Sequence, residues 1–123
     1  MAEETSYTSG SYKMEMLKAN NWMPWKRRML AVLRDLDLES YLKEDTKPKP
    51  KDFSSPSEDE IKAIKKWEEG DAKARTRLEL AIGDSEMVHI IGAETASQMW
   101  KQLTLVKESR GKLGILATRR TLQ

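Results

Sequence analysis

The chain has 123 residues, of which 34% are charged and 38% hydrophobic, and its formal net charge is +2. This length fits one domain with a modest core, and the near balance of charge argues against a chain that binds nucleic acid strongly by electrostatics alone. The chain has no cysteine, which excludes disulfides, thiol catalysis and zinc knuckles from it, and no apolar run is long enough for a signal peptide or a membrane span. We therefore expect a cytoplasmic protein with no membrane partner.

The N-terminal segment predicts a flexible tail followed by an extended arm. Residues 1–11 are small, polar and acidic, as is typical of a frayed end. Residues 12–123 predict a single helical domain, because helix-favouring residue types dominate and no run alternates as a strand would. The arm contributes four candidate interface residues, which are Tyr12, Met14, Met16 and Trp22.

The first helix is predicted over residues 24–35. The pair Asn20-Asn21 is typical of a turn or cap, and Pro24 suits the first turn of a helix, where its missing N–H is not needed. Apolar residues then recur at helical spacing, and basic residues lie mainly on the opposite face. A short second helix is predicted over residues 38–43.

A loop and a long helix are predicted next. Residues 45–56 contain three prolines and several lysines, which predicts an exposed internal loop. Ser57 and Glu60 have the spacing of a capping box, in which each side chain binds the backbone N–H of the other residue. A long apolar stripe follows, with Gly70 as a point of close packing or slight bending and Gly83 as the predicted end.

The remaining residues predict further helices. A short helix is expected over residues 84–91, and the segment Thr95–Gln98 repeats the capping-box spacing at the start of the next one. After Gly111 another amphipathic segment begins. It reaches Gln123 without a stop signal, so we expect the natural polypeptide to continue.

These elements together predict an all-α fold, a compact bundle of about five to six helices with a Pro/Lys-rich internal loop. Large apolar residues on the predicted helices, including three of the four tryptophans, are expected to bury the most area. The predicted core anchors are Trp25, Met29, Leu33, Trp67, Leu78, Met99, Trp100 and Leu103.

No residue pattern points to catalysis, a metal or a cofactor. His89 is the sole histidine and sits among apolar residues, where a buried or helix-surface position is far more common than a metal ligand. Glu68, Glu69 and Asp71 lie on a charged helix, and such carboxylates are usually solvated. The chain has no glycine-rich phosphate loop and no serine nucleophile motif, so we expect neither an enzyme nor a cofactor.

Basic residues provide candidate RNA contacts. Residues 101–123 carry six Lys/Arg and one acidic residue, which can contact phosphate but is also typical of a solvated flank. No aromatic residue is interleaved there, which favours the flank. The candidate contacts are Lys26, Arg27, Arg28, Lys112, Arg119 and Arg120.

Three segments, in order, resemble the Gag polyproteins of copia-type LTR retrotransposons. The segment from Asn21 to Met29 is similar to their N-Y-x-x-W-x-x-x-M opening, with Trp22 in place of tyrosine. Residues 67–74 resemble the W-x-x-x-D-x-x-A helix, and residues 95–103 resemble T-A-x-E-M-W-x-x-L, with glutamine in place of glutamate. Such proteins usually continue into a second helical lobe and often a zinc knuckle, so this chain resembles the N-terminal capsid lobe.

The resemblance implies a structural domain that self-associates in a particle shell around RNA, and it carries over no catalytic residue. Copies of the chain are then the expected partners, through contacts that build rings or open lattices. Two alternatives stay open. One is a module, in a host gene derived from such an element, that binds a peptide or a host protein. The other is a domain that binds RNA weakly through its basic faces.

Overall fold

A computed structural model of the chain describes the backbone of residues 6–9, 12–44 and 46–122 and the side chains of residues 13–44 and 46–109. Helices dominate these residues, as the sequence predicts. Along the chain the elements are strand β1 (Ser6–Ser9), strand β2 (Tyr12–Glu15), helix α1 (Trp22–Asp35), a first 3-10 helix (Glu39–Leu42), helix α2 (Glu58–Leu80), a second 3-10 helix (Asp84–Ile90) and helix α3 (Ala96–Leu122).

The hairpin of β1 and β2 is absent from the predicted all-α fold. The two strands are antiparallel, with Ser6 paired to Glu15 and Ser9 paired to Tyr12. Strand β1 lies within the segment predicted as a flexible tail. Each strand has four residues, which is too short for an alternating pattern to stand out in the sequence.

Helix α1 begins at Trp22, two residues before the predicted start, and ends at Asp35 as predicted. Asn21 precedes it and shapes the turn that leads in, because its amide Nδ2 donates to the carbonyl of Met16 at 2.9 Å and its Oδ1 accepts from the backbone N–H of Lys18 at 2.6 Å. Pro24 falls in the first turn, where helices tolerate proline. The turn therefore sets the direction in which α1 leaves the arm.

Residues 46–57 contain neither helix nor strand, and the capping box predicted at Ser57 is confirmed at the start of α2. The backbone N–H of Glu60 donates to Ser57 Oγ at 3.1 Å, and the N–H of Ser57 donates to Glu60 Oε1 at 2.8 Å. Glu60 Oε2 also accepts from the backbone N–H of Lys51 at 2.8 Å. This second oxygen ties the loop to the first turn of α2.

We expect the pKa of Glu60 to lie below 4.5, because the N–H of Ser57, then the N–H of Lys51, then the Ser57 hydroxyl favour the ionised carboxylate. Such a group stabilises the fold above its unfolded pKa, and that contribution is lost as the pH falls through the lower, folded value. An NMR titration of the Glu60 carboxyl checks this. Ser57→Pro removes both the N–H and the hydroxyl of this residue and should move the midpoint back toward 4.5, whereas an unchanged midpoint would contradict the assignment.

The arm before α1 pairs with the segment after α2. Leu17 and Ile82 form a parallel bridge, in which the N–H of Leu17 donates to the carbonyl of Ala81 at 2.8 Å and the N–H of Gly83 donates to the carbonyl of Leu17 at 3.0 Å. A Cβ on Gly83 would lie 2.7 Å from that Leu17 oxygen. Helix α2 already ends at Leu80, so Gly83 permits this close approach instead of ending the helix.

Helix α3 continues through Gly111, so the separate segment predicted after this glycine does not exist. A glycine inside a helix costs about 1 kcal/mol relative to alanine, which a long helix can absorb. At the other end the N–H of Gln98 donates to Thr95 Oγ1 at 3.1 Å, and Gln98 Oε1 accepts from the N–H of Glu94 at 2.7 Å. In the predicted capping box Gln98 would accept from the N–H of Thr95. It accepts instead from the N–H of Glu94, one residue earlier.

The core lies between α1, α2 and α3 and is closed by the arm and the two 3-10 helices. Its members come from every one of these elements except the first 3-10 helix, which contributes partly buried residues. The buried hydrophobic residues are Met14, Leu17, Trp22, Trp25, Met29, Val32, Leu33, Leu38, Ala74, Leu78, Ala81, Ile82, Ile90, Ala96, Met99 and Leu103.

Candidate interaction surfaces

Three tryptophans from α1 and α3 form one cluster. The ring centroids of Trp22 and Trp25 are 5.8 Å apart, and the Trp100 centroid lies 6.0 Å from each of them. Trp25 is buried, and its Nε1 donates to the carbonyl of Ala81 at 2.9 Å. Trp100 is partly buried and packs against the core. The cluster therefore joins the first turns of α1 and α3 to the end of α2.

Trp22 belongs to this cluster and is not free to contact a partner, which corrects the prediction of an interface role. Its Nε1 donates to Glu108 Oε2 at 3.2 Å. Lys26, a predicted RNA contact, forms an ion pair with the same oxygen at 2.6 Å and lies 5.7 Å from the Trp22 ring centroid. Both residues are thus engaged within the domain.

A buried ion pair joins α3 to the second 3-10 helix. The ammonium of Lys107 contacts the carboxylate of Glu86, and both side chains are less than a tenth exposed. Lys107 also donates to the carbonyl of Lys18 at 3.3 Å, and His89 Nε2 lies 3.6 Å from Glu86 Oε1. His89 is half-buried beside a carboxylate, so its role is structural in this arrangement.

Asp71 caps α3 from the middle of α2, and the expectation that it is solvated is wrong. Its side chain is buried, with Oδ1 accepting from the N–H of Ala96 at 2.9 Å and Oδ2 accepting from Arg75 Nε at 2.9 Å. A carboxylate at the first turn of α3 also suits the positive end of the helix dipole. Ala74 and Ala96 are fully buried, which lets the helices approach. In the W-x-x-x-D-x-x-A pattern the aspartate thus caps α3, and the alanine lets α2 and α3 pack closely.

Replacing Asp71 with alanine should lower the free energy of unfolding by about 1–3 kcal/mol, because the N–H of Ala96 would be left buried without a partner. Urea unfolding followed by circular dichroism measures the change. Glu69→Ala is the matched control, since it removes an exposed carboxylate from the same helix. Equal effects of the two substitutions would contradict the capping role.

Trp67 lies at the edge of the domain, half-buried, although it was predicted as a core anchor. Its Nε1 donates to Thr46 Oγ1 at 2.9 Å, and its ring meets the Tyr41 ring edge-on with centroids 5.8 Å apart. A Cβ on Gly70 would collide with the Tyr41 hydroxyl group, so this glycine makes room for the tyrosine. The close packing predicted at Gly70 is confirmed.

A groove of about 770 Å³ lies between α2 and the segment that links α1 to the first 3-10 helix. We call it the α2 groove. Most of its apolar residues come from the segment after α1 and the first 3-10 helix, and most of its charged residues come from α2. The apolar residues are Leu36, Leu38, Tyr41 and Leu80, and the charged ones are Lys66, Lys73, Arg77, Asp37 and Glu69. No local sequence signal marks this groove, because its two walls are separated by the loop.

The predicted interface residues of the arm face their own domain. Met14 is buried, and Met16 is half-buried and packs against the core. The side chain of Tyr12 lies outside the described residues. The arm therefore contributes to the fold, and its described side chains do not form an open surface.

The predicted RNA contacts are divided among different surroundings. Arg27 and Arg28 are exposed on the first half of α1, whereas Lys26 is held by Glu108. The other three lie on α3 and are Lys112, Arg119 and Arg120. Their side chains lie outside the described residues.

Neither a metal site nor a membrane-spanning helix occurs within the described residues. No group of three or more histidine, aspartate or glutamate side chains there is arranged to hold a metal ion. No helix there is both long and apolar enough to cross a membrane.

A family model described as gag-polypeptide of LTR copia-type matches residues 29–122, which include the second half of α1 and all of α2 and α3. No significant match was found among curated proteins or among solved structures.

Proposed function

Because the chain belongs to the family of gag-polypeptides of copia-type LTR retrotransposons, we propose that it is a self-associating capsid-type domain that contributes to the assembly of virus-like particles in the cytoplasm. The family match over residues 29–122 carries this proposal. The Gag-type domain is a structural family, so the surfaces of the domain, more than any cleft chemistry, are expected to perform its work.

Exposed apolar side chains offer candidate contact points for self-association. The domain closes a core, yet several large apolar side chains on its helices and loop stay exposed to solvent. Single residues of this kind are ordinary on a protein surface, and they mark a contact surface only where they form a contiguous patch. The exposed ones are Met23, Phe53, Ile61, Leu80, Val88, Ile91 and Leu105.

The proposed assembly uses many weak contacts. Heterologous contacts between copies generate rings or open lattices, and many copies acting together hold a shell that no single contact would hold. We therefore expect the isolated chain to associate weakly and in a concentration-dependent manner.

Size-exclusion chromatography with light scattering tests the proposal. The mass should rise with concentration, and electron microscopy at high concentration should show rings, lattices or particles. Monomers at every concentration, with no assemblies by electron microscopy, would refute it. One stoichiometric partner without self-association would instead identify a protein-interaction module.

A second candidate function is RNA binding, which the exposed pair Arg27 and Arg28 favours. Contacts with phosphate release counterions, so affinity for RNA should fall as salt increases. Fluorescence anisotropy with a labelled single-stranded RNA across a salt series measures this. Arg27→Ala/Arg28→Ala should reduce both the affinity and the salt slope, and a flat salt response would remove RNA binding from the functions of this domain.

A further inference from the structure

The loop and the first turn of α2 form a protruding surface that is both apolar and acidic. Phe53 is 76% exposed and Ile61 is 51% exposed. The hydrogen bond from the N–H of Lys51 to Glu60 holds the loop against α2, which places both apolar side chains at the same end of the helix. Glu58 and Asp59 are exposed between them in sequence. We call Phe53, Glu58, Asp59 and Ile61 the acidic knob.

The α2 groove has the complementary composition. Its wall offers leucine side chains and the Tyr41 ring, while its rim carries three cations against the two carboxylates of Asp37 and Glu69. Lys66 and Lys73 are exposed at the rim. A ligand that fits here is an apolar side chain flanked by carboxylates, which is the chemistry that the acidic knob presents.

The knob of a given copy does not reach the groove of the same copy. Both lie along α2, which is a continuous helix from Glu58 to Leu80. The α2 residues of the groove run from Lys66 to Leu80, so with a rise of about 1.5 Å per residue Ile61 lies about 18 Å along the helix axis from the middle of the groove. The loop end that carries Phe53 is fixed near Glu60 by the Lys51 hydrogen bond. A knob that fills the groove therefore belongs to a second copy.

We propose that the acidic knob of one copy docks in the α2 groove of a second copy. This proposal rests on the self-association proposed above and assigns its contact surfaces. Phe53 enters the apolar wall of the groove, and Glu58 and Asp59 meet the lysines of the rim. Because knob and groove are different surfaces, a pair of docked copies still has one unused groove and one unused knob, so the contact propagates head to tail into a ring or an open chain.

A charge exchange tests this docking. The knob variant is Glu58→Lys/Asp59→Lys, which leaves the Ser57–Glu60 capping box intact, and the groove variant is Lys66→Glu/Lys73→Glu. In each variant alone, the knob and groove carry like charges and should repel. In a 1:1 mixture every contact again joins opposite charges, because the reversed knob meets the reversed groove and the original knob meets the original groove.

Sedimentation velocity over a concentration series measures the association, and circular dichroism verifies the fold of each variant. Either variant alone should raise the dissociation constant by about tenfold or more, and the mixture should return it to within about threefold of the wild-type value. Phe53→Ser should also weaken association by about tenfold, with no change in fold because this side chain is exposed. Lys43→Glu/Lys101→Glu is the matched control, with the same charge change at exposed positions outside the groove and the knob.

The outcomes separate the two proposals. Wild-type association that neither variant weakens would overturn the docking of knob in groove and leave self-association standing. A wild-type chain that stays monomeric at every concentration would overturn both. Loss of RNA binding in the groove variant, with self-association unchanged, would assign the groove to nucleic acid and overturn the docking. The docking is supported if each variant alone associates more weakly, the mixture regains nearly the wild-type dissociation constant and the control variant associates like the wild type.

Discussion

Replacing Lys107 with methionine is expected to lower the free energy of unfolding by about 3–5 kcal/mol, the range for breaking a buried ion pair from one side. The side chains of Lys107 and Glu86 are 5% and 7% exposed, so the carboxylate of Glu86 would stay in the interior without its main partner. A domain of this size is stable by about 5–15 kcal/mol in total, so the loss should be visible in both urea and thermal unfolding.

Two further variants decide whether the pair itself is responsible. Lys101→Met makes the same chemical change on the same helix at a side chain that is 64% exposed, and it should change stability by less than about 0.5 kcal/mol. The double variant Lys107→Met/Glu86→Leu removes both charges and should recover most of the lost stability, because no uncompensated charge remains. A double variant as unstable as Lys107→Met would show that shape, not charge, is limiting at this position.

Replacing Trp25 with alanine should cost about 3–5 kcal/mol, the usual range for a buried tryptophan. The side chain is 1% exposed, it stacks against both Trp22 and Trp100, and its Nε1 donates to the carbonyl of Ala81. Truncation would therefore open a large cavity and leave a buried oxygen with one donor fewer. Urea unfolding measures the loss of free energy of unfolding. The near-ultraviolet circular dichroism signal of the tryptophan cluster should also decrease strongly.

Two other substitutions on α1 provide comparisons for Trp25→Ala. Met23→Ala lies two residues away at a side chain that is 67% exposed, and it should change stability by no more than about 0.5 kcal/mol. Trp25→Phe keeps an aromatic ring and loses the hydrogen bond, so its effect should fall between the other two. If Trp25→Ala were no worse than Met23→Ala, the tryptophan cluster would not be the centre of the core.

The features predicted best are those whose hydrogen bonds or spacing lie within one element. Ser57 and Glu60 form their capping box within four consecutive residues, so the hydrogen bonds depend on nothing elsewhere in the chain. Asp35 ends α1 as predicted for a similar reason, since the apolar spacing of one helix is a property of that helix alone. The helical class followed from these local patterns.

Features that depend on distant partners were not predictable from the residues around them. Asp71 looks like any carboxylate on a charged helix until Ala96, 25 residues later, presents its N–H to it. Trp67 has the spacing of a core residue, but the helix turns it toward Thr46 at the domain edge. Gly111 has the chemistry of a breaker, yet α3 passes through it. In each case tertiary packing overrode a local preference.

The candidate surfaces divide in the same way. The exposed positions of Arg27 and Arg28 followed from the amphipathic pattern of α1. The α2 groove did not, because its walls belong to segments that are separated by the loop and meet only in the folded chain. A groove between distant segments has no signature in a single window of sequence.

The pairing of the arm with the segment after α2 also determines when this protein can fold as it leaves the ribosome. Leu17 needs Ala81 and Gly83, and Trp22 needs Glu108, which is 86 residues further along the chain. Contacts over such separations form only after both partners have been synthesised, and they slow folding relative to local ones. The contacts of Leu17 and Trp22 with the later helices therefore form only late in the synthesis of the domain. Folding becomes a late event, when nearly the whole domain has emerged.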